Sequence, residues 1–229
     1  MHNATHDHPL AVVVLISGNG SNLQAIMDFI QQQALPVKIK AVISNRSDAF
    51  GLARAKKAGI PTHVIDHKEH ESREDFDHTL ETCIDAYQPD LIILAGFMRI
   101  LTQAFVEHFR GKMLNIHPSL LPKYQGLNTH QRVLQAGDKE HGVSVHLVTP
   151  ELDAGPIILQ RTVPVYADDT IDTLANRVHL QEYIIYPKVL KWIAEGRVKI
   201  DGDQVWLDGQ LIPPQSSTHR TKPATGPAS

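Results

Sequence analysis

From residue 10 to about residue 110, short runs of β-branched and aliphatic residues alternate with segments whose apolar positions recur at helical spacing. The runs at 11–16, 37–43, 62–65, 91–95 and 113–116 read as strands. Those at 22–33, 50–58, 72–87 and 102–109 read as helices, with Gly59-Ile60-Pro61 as a stop signal. Such alternation marks βαβ units, because parallel neighbours in a sheet need a crossover between them. After Asn115 the rhythm changes. A Pro-rich loop over 118–126 precedes strands at 143–148 and 157–165, which are joined by a loop. One long helix follows over 170–194, with apolar Ile171, Leu174, Val178 and Ile185, and Pro187 predicts a kink in it. Residues 198–206 read as a small hairpin about Asp201-Gly202. The expected class is α/β, with a mostly parallel twisted sheet, helices on both faces and a mixed carboxy-terminal part. One domain is expected over 11–214, after a flexible tail over 1–10. From Gln215 onward Ser, Thr, Pro, Gly and Ala without apolar period predict a disordered tail over 215–229.

Composition narrows the partners. Of 229 residues 42% are apolar and 21% charged, ordinary for a globular chain, and the formal net charge of −3 comes with no basic stripe. No nucleic-acid partner is expected, and any phosphate must be held locally. The longest apolar runs fall far short of the roughly 20 residues that span a bilayer, so no membrane partner is expected either. The first ten residues hold three His and no apolar stretch of signal-peptide length. With a single cysteine, Cys83, this fits a reducing, cytoplasmic location. Cys83 shares a helical pattern with Phe76, Leu80, Ile84 and Tyr87, which points to packing rather than reactivity.

Three segments carry candidate chemistry. Ser17-Gly18-Asn19-Gly20-Ser21-Asn22-Leu23 stands where the first strand feeds the first helix, a place where backbone N–H groups attract phosphate. The dinucleotide fingerprint would want glycine at position 23 and an acid at the end of the second strand, where Ser44-Asn45-Arg46 stand instead. A Walker loop is excluded because no Gly-Lys-Ser/Thr follows. By itself the turn is as readily a tight βα connection as a phosphate cradle. Farther on, Asn115 and His117 occupy alternate positions at the end of an apolar strand, so both face one side at the edge where open α/β sheets bind ligands. The third segment, Glu151-Leu152-Asp153-Ala154-Gly155-Pro156, follows the alternating strand that contains His146, and its Asp153 could equally be an ordinary turn residue.

Taken together, Asn115-Ile116-His117-Pro118-Ser119-Leu120-Leu121-Pro122 and Gly142-Val143-Ser144-Val145-His146 followed by Leu152-Asp153-Ala154-Gly155-Pro156-Ile157 resemble the folate-dependent formyltransferase family. The glycine turn and Leu94-Ala95-Gly96-Phe97-Met98-Arg99-Ile100-Leu101 extend the resemblance over about residues 11–214. It implies a Rossmann-like fold and transfer of a formyl group from 10-formyltetrahydrofolate, as co-substrate, to a small ribonucleotide amine. The amine is the nucleophile, so no Ser or Cys is needed. Asn115 and His117 would donate to the tetrahedral oxyanion, and Asp153 would favour the charged form of His117. Either His117, Asp153 or a water could move the proton.

The resemblance also assigns ligand contacts. Gly20, Ser21 and Asn22 would hold the ribonucleotide phosphate, with His179, Gln181 and Glu182 toward the ribose or amine. Folate would meet Met98, Arg99, Ile100 and Leu101 through the backbone, Asn115, and the loop of Thr149, Pro150, Glu151, Leu152 and Asp153, while Arg73 would meet its glutamate carboxylate. Two positions depart from the family pattern: Asn128 stands where relatives often have His, and His179 where bacterial relatives have Gln. His63, His67, His70 and His78 lack metal-ligand spacing, so no metal is expected.

Two alternatives stand beside this reading. The same fold could formylate initiator methionyl-tRNA or hydrolyse formylfolate, although the first relatives carry a further carboxy-terminal barrel and the second an amino-terminal regulatory domain, whereas ten residues precede the first strand here. A non-catalytic nucleotide-binding module would use only the glycine turn. The state expected in solution is a monomer or homodimer.

Overall fold

A computed structural model describes residues 4–213. The expected disordered tail and the first three residues lie outside it. The chain alternates β1 (Leu10–Ile16), α1 (Ser21–Gln32), β2 (Val37–Ser44), α2 (Phe50–Lys57), β3 (Thr62–Val64), α3 (Arg73–Asp85), β4 (Leu91–Leu94), α4 (Gln103–His108) and β5 (Met113–His117). It continues with α5 (Thr129–Ala136), β6 (Glu140–Leu147), β7 (Ile157–Pro164), α6 (Ile171–Ala194), and β8 (Val198–Asp201), β9 (Gln204–Leu207) and β10 (Gln210–Ile212).

Seven strands form one sheet in the order β3-β2-β1-β4-β5-β6-β7. The pairs from β3 to β5 are parallel, whereas β5–β6 and β6–β7 are antiparallel, so the mixed part is a flank added to a parallel sheet. Strand periodicity sorts the core. Val12, Val14 and Ile16 pack with Leu23 and Ile26 of α1, Leu52 of α2 and the buried face of α6. Val13 and Leu15 point the other way, into Phe76, Leu80 and Ile84 of α3 and Phe105 of α4. Both faces are thus covered, as the apolar strands require.

Several segments differ from the sequence pattern. The β1 strand begins at Leu10, and Ala4 N–H donates to the Ala194 carbonyl at the end of α6. Helix α5, which the sequence pattern leaves unassigned, is eight residues long and buries Thr129 and Val133; left-handed Asn128 and Gly137 bracket it. Pro187 is buried within α6 and does not end it. The hairpin gains a third strand, β10. Cys83 is partly buried against the α3 core, where burial pushes its thiol up, away from the reactive thiolate. Among the described residues no helix is long and apolar enough to cross a membrane.

Candidate active site

The tip of β5 is where the two kinds of pairing meet. Antiparallel register sets Asn115 opposite His146 and His117 opposite Ser144. His146 is buried, and its Nδ1 lies 2.9 Å from the Leu147 carbonyl, so Nδ1 carries the hydrogen and Nε2 is left as an acceptor. Asn115 Nδ2 donates to that Nε2 at 3.1 Å. Burial pushes the His146 imidazole down to about 4, and the nearby Asp153 opposes this only in part.

Asp153 reaches the same point from the loop between β6 and β7. It adopts a left-handed φ of 51° and is 8% exposed. Gly155 holds this loop against β6, since a Cβ there would lie 1.9 Å from the Leu147 carbonyl oxygen. One carboxylate oxygen of Asp153 lies 3.5 Å from Asn115 Nδ2 and 3.6 Å from His146 Nε2. The other lies 3.4 Å from His117 Nδ1 and accepts from Gly126 N at 2.9 Å. His117 Nε2 donates to the Tyr124 carbonyl at 2.9 Å. Asn115, His117 and Asp153 are therefore brought together, and His146, Tyr124 and Gly126 join them.

The Pro-rich loop that supplies Tyr124 and Gly126 contains a cis Leu121-Pro122 bond. It is pinned from below by β6 and β7: Ser144 Oγ donates to the Ser119 carbonyl at 2.6 Å, and Gln160 Nε2 donates to the Leu121 carbonyl at 2.9 Å. Beyond it, His141 Nε2 and His130 Nδ1 lie 3.0 Å apart, and burial lowers both rings to about 4. His179 stacks on Tyr183 and lies 6.5 Å from His130 between ring centroids. Left-handed Asn128 is exposed at the start of α5.

The glycine turn opens α1. Gly20 has φ 69°, and α1 has neither a side-chain cap nor an acid in its first turn. Its leading N–H groups, which no helix can bond internally, therefore have no side-chain cap. A Cβ at Gly20 would lie 2.5 Å from Gly51 Cα, so the turn packs directly on the start of α2. Asn22 Nδ2 donates to Glu182 Oε2 at 2.7 Å, which joins the turn to α6. Asn22 Oδ1 is buried without a partner. Burial raises the Glu182 carboxyl, while Asn22, His179 and His117 pull it back.

Between these places runs the loop after β4. Met98 and Ile100 expose 68% and 56% of their surface, and Leu152 across from the flank exposes 49%, an unusual set of outward apolar side chains. The Arg99 guanidinium lies over Phe76 at 5.5 Å, and Asp77 Oδ2 accepts from Thr102 N at 2.6 Å. Both contacts tie the loop to α3, whose first residue is the exposed Arg73. Thr149 Oγ1 donates to the Glu151 carbonyl at 3.3 Å, while Pro150 and Glu151 are exposed. Gln181 is half-buried on α6.

The sequence by itself assigns His146 no role. Its alternating strand was legible, but its place beside Asn115 depends on the register of an antiparallel pair. Of the His that lack metal-ligand spacing, His63 meets the Tyr87 hydroxyl and His70 the Asp66 carbonyl. Glu81, Asp85 and His108, partly exposed between α3 and α4, form the one group of three potential metal ligands among the described residues.

A parallel sheet with an uncapped glycine turn and an Asn–His–Asp cluster at its carboxyl edge has counterparts among known proteins. Residues 10–190 match the family model described as Formyl transferase, and the chain belongs to that family. Two of its relatives are phosphoribosylglycinamide formyltransferases. The one from Escherichia coli (strain K12) is 56% identical over 89% of this chain and 96% of its own, and that from Haemophilus influenzae is 48% identical over 88% and 95%. The structure of the Coxiella burnetii enzyme, in complex with CHES, superposes with a TM-score of 0.84 at 60% identity, covering 90% of this chain and 96% of that one. The protein is an enzyme, a folate-dependent formyltransferase of purine biosynthesis.

Proposed function

We infer that the protein transfers the formyl group of 10-formyltetrahydrofolate to the primary amine of glycinamide ribonucleotide. The products are formylglycinamide ribonucleotide and tetrahydrofolate. The observation that carries this reading is the convergence of Asn115, His117 and Asp153 in a chain 56% identical to such an enzyme.

The amine nitrogen attacks the formyl carbon, the carbonyl electrons move onto oxygen, and the tetrahedral intermediate collapses by releasing the folate nitrogen. One proton leaves the amine and one reaches that nitrogen. The developing oxyanion needs donors, and Asn115 and His117, at alternate positions on β5, supply them once His117 Nε2–H exchanges the Tyr124 carbonyl, 2.9 Å away, for the oxyanion. Both Asn115 N–H groups already face acceptors, His146 at 3.1 Å and Asp153 at 3.5 Å. The oxyanion would replace the longer contact, so His146 holds the amide while its second hydrogen turns to the substrate. Asp153, 3.4 Å from His117, balances positive charge on the imidazole as the oxyanion forms. His117, Asp153 and an ordered water each remain candidates for the proton shuttle.

The ribonucleotide phosphate is assigned to the amides of Gly20, Ser21 and Asn22, with Glu182, Gln181 and His179 at the ribose and amine end. Folate is assigned to the loop of Met98, Arg99, Ile100 and Leu101, to Thr149, Pro150, Glu151 and Leu152, and to Arg73 at its glutamate. The enzyme is read as cytoplasmic, metal-independent, without a nucleic-acid partner, and active as a monomer or homodimer. Purified protein supplied with both substrates is expected to form the formylated ribonucleotide. Absence of that product at saturating substrates overturns the reading, and rapid formate release without the amine would replace it with hydrolysis.

A further inference from the structure

The residues at the end of β2, Ser44-Asn45-Arg46, stand where a dinucleotide-binding sheet carries its ribose-binding acid. Asn45 is 3% exposed and turns inward rather than toward solvent. Its Oδ1 accepts from Ser17 Oγ at 2.5 Å, and Ser17 is 5% exposed. The same hydroxyl oxygen accepts from the backbone N–H of Met98 at 2.7 Å. Ser17 has one hydrogen to donate, and Asn45 takes it, so the hydroxyl lone pairs are aimed at Met98.

Ser17 thus joins two loops given to different substrates. It directly precedes the glycine turn, whose Gly18 carbonyl accepts from Gly51 N at 3.0 Å and whose Gly20 packs on Gly51. Met98 belongs to the loop after β4, which Asp77 holds at its other end through Thr102 N. We propose that Ser17, oriented by Asn45, is a positioning residue that fixes the Met98 amide of the folate loop from the joint of the nucleotide turn and so couples the binding of the two substrates. A ribonucleotide bound on the turn acts on the segment that carries the Ser17 hydroxyl, and through that hydroxyl on Met98. By linkage, folate returns the same factor to the ribonucleotide.

This proposal rests on the assignment of the two loops to ribonucleotide and folate. Its test uses the full chain and tetrahydrofolate, which carries no formyl group and cannot react. Calorimetric titration is run with and without glycinamide ribonucleotide. For the unaltered protein the ribonucleotide is expected to tighten tetrahydrofolate binding severalfold. In Ser17→Ala, loss of one buried hydrogen bond weakens tetrahydrofolate roughly three- to tenfold. The ribonucleotide then no longer changes that affinity, and the KM for 10-formyltetrahydrofolate rises while kcat stays within about twofold. Ser17→Thr, which keeps the hydroxyl, restores both affinity and coupling. Asn45→Ala, with the acceptor gone, shows the same loss in smaller measure and serves if Ser17→Ala lowers the unfolding temperature too far to titrate. Unchanged affinity and coupling in these variants, or no coupling in the unaltered protein, overturns the proposal. Failure of the unaltered protein to bind tetrahydrofolate or to form product would instead overturn the functional reading beneath it.

Discussion

At the glycine turn the groups offered to a ligand are main-chain amides that nothing caps, and the buried Asn22 Oδ1 is without a partner. At the tip of β5, the side chains of Asn115, His117 and His146 and the Gly126 N–H already surround the Asp153 carboxylate. The first region is receptive and depends on backbone stereochemistry. The second is preassembled and depends on side-chain identity and strand register. The difference suits their proposed roles, because a phosphate arrives with its charge complete, whereas an oxyanion exists only in passing and needs donors already in place.

The largest expected effect lies in the preassembled region. His117→Ala should lower kcat by about 10²- to 10³-fold, the loss typical of one oxyanion donor, with little change in ribonucleotide KM. Steady-state assays at saturating folate measure it, and a fall under tenfold would break the contrast.

Next in size is a pH dependence that separates the regions by sign. His146 sits near 4 in the folded protein against 6.5 for a free imidazole, so the unfolded chain takes its proton first. That stability is present above about pH 6.5 and is lost as pH falls toward 4, on the order of 3 kcal/mol in all. His130 and His141 act in the same direction. Glu182, beside the turn, is raised by burial, so its contribution is present below its unfolded value of 4.5 and is lost as pH rises. Denaturant unfolding at pH 7 and pH 5 should show the acid loss, flattened in His146→Asn. Glu182→Gln should stabilise the protein at pH 7 while weakening the ribonucleotide.

Gly20→Ala comes third. Its Cβ would meet Gly51 Cα at 2.5 Å in a left-handed backbone, a strain of about 1–3 kcal/mol. Ribonucleotide KM should rise more than folate KM, and equal rises would remove the division between the regions. The smallest change is Thr170→Ala. It removes the capping box of α6 and should cost about 1 kcal/mol in thermal unfolding with both KM values unchanged.

The two regions were also unequally legible in the sequence. The glycine turn could be located from Gly18 and Gly20 alone, since strand, glycines and helix are contiguous. Asn115 and His117 could be placed on one face from a period of two. Asp153 could not be joined to them by any local rule, because it lies in another loop and only the β5–β6 pairing carries it there. His146 was missed for the same reason. Helix α5 is hard to read from the sequence because eight residues with only Thr129 and Val133 buried are too short for a helical period to repeat.

By itself, the sequence determined the alternation of strands and helices, the apolar faces that must be covered, the turn that can receive an anion and the shared face of Asn115 and His117, for these follow from local stereochemistry and spacing. Tertiary structure alone decided that β6 and β7 turn antiparallel, that His146 faces Asn115, and that Asn45 is turned inward to hold Ser17 against Met98. Each of those is a contact between residues far apart in the chain, and no residue's own preference specifies which distant partner fills the space beside it.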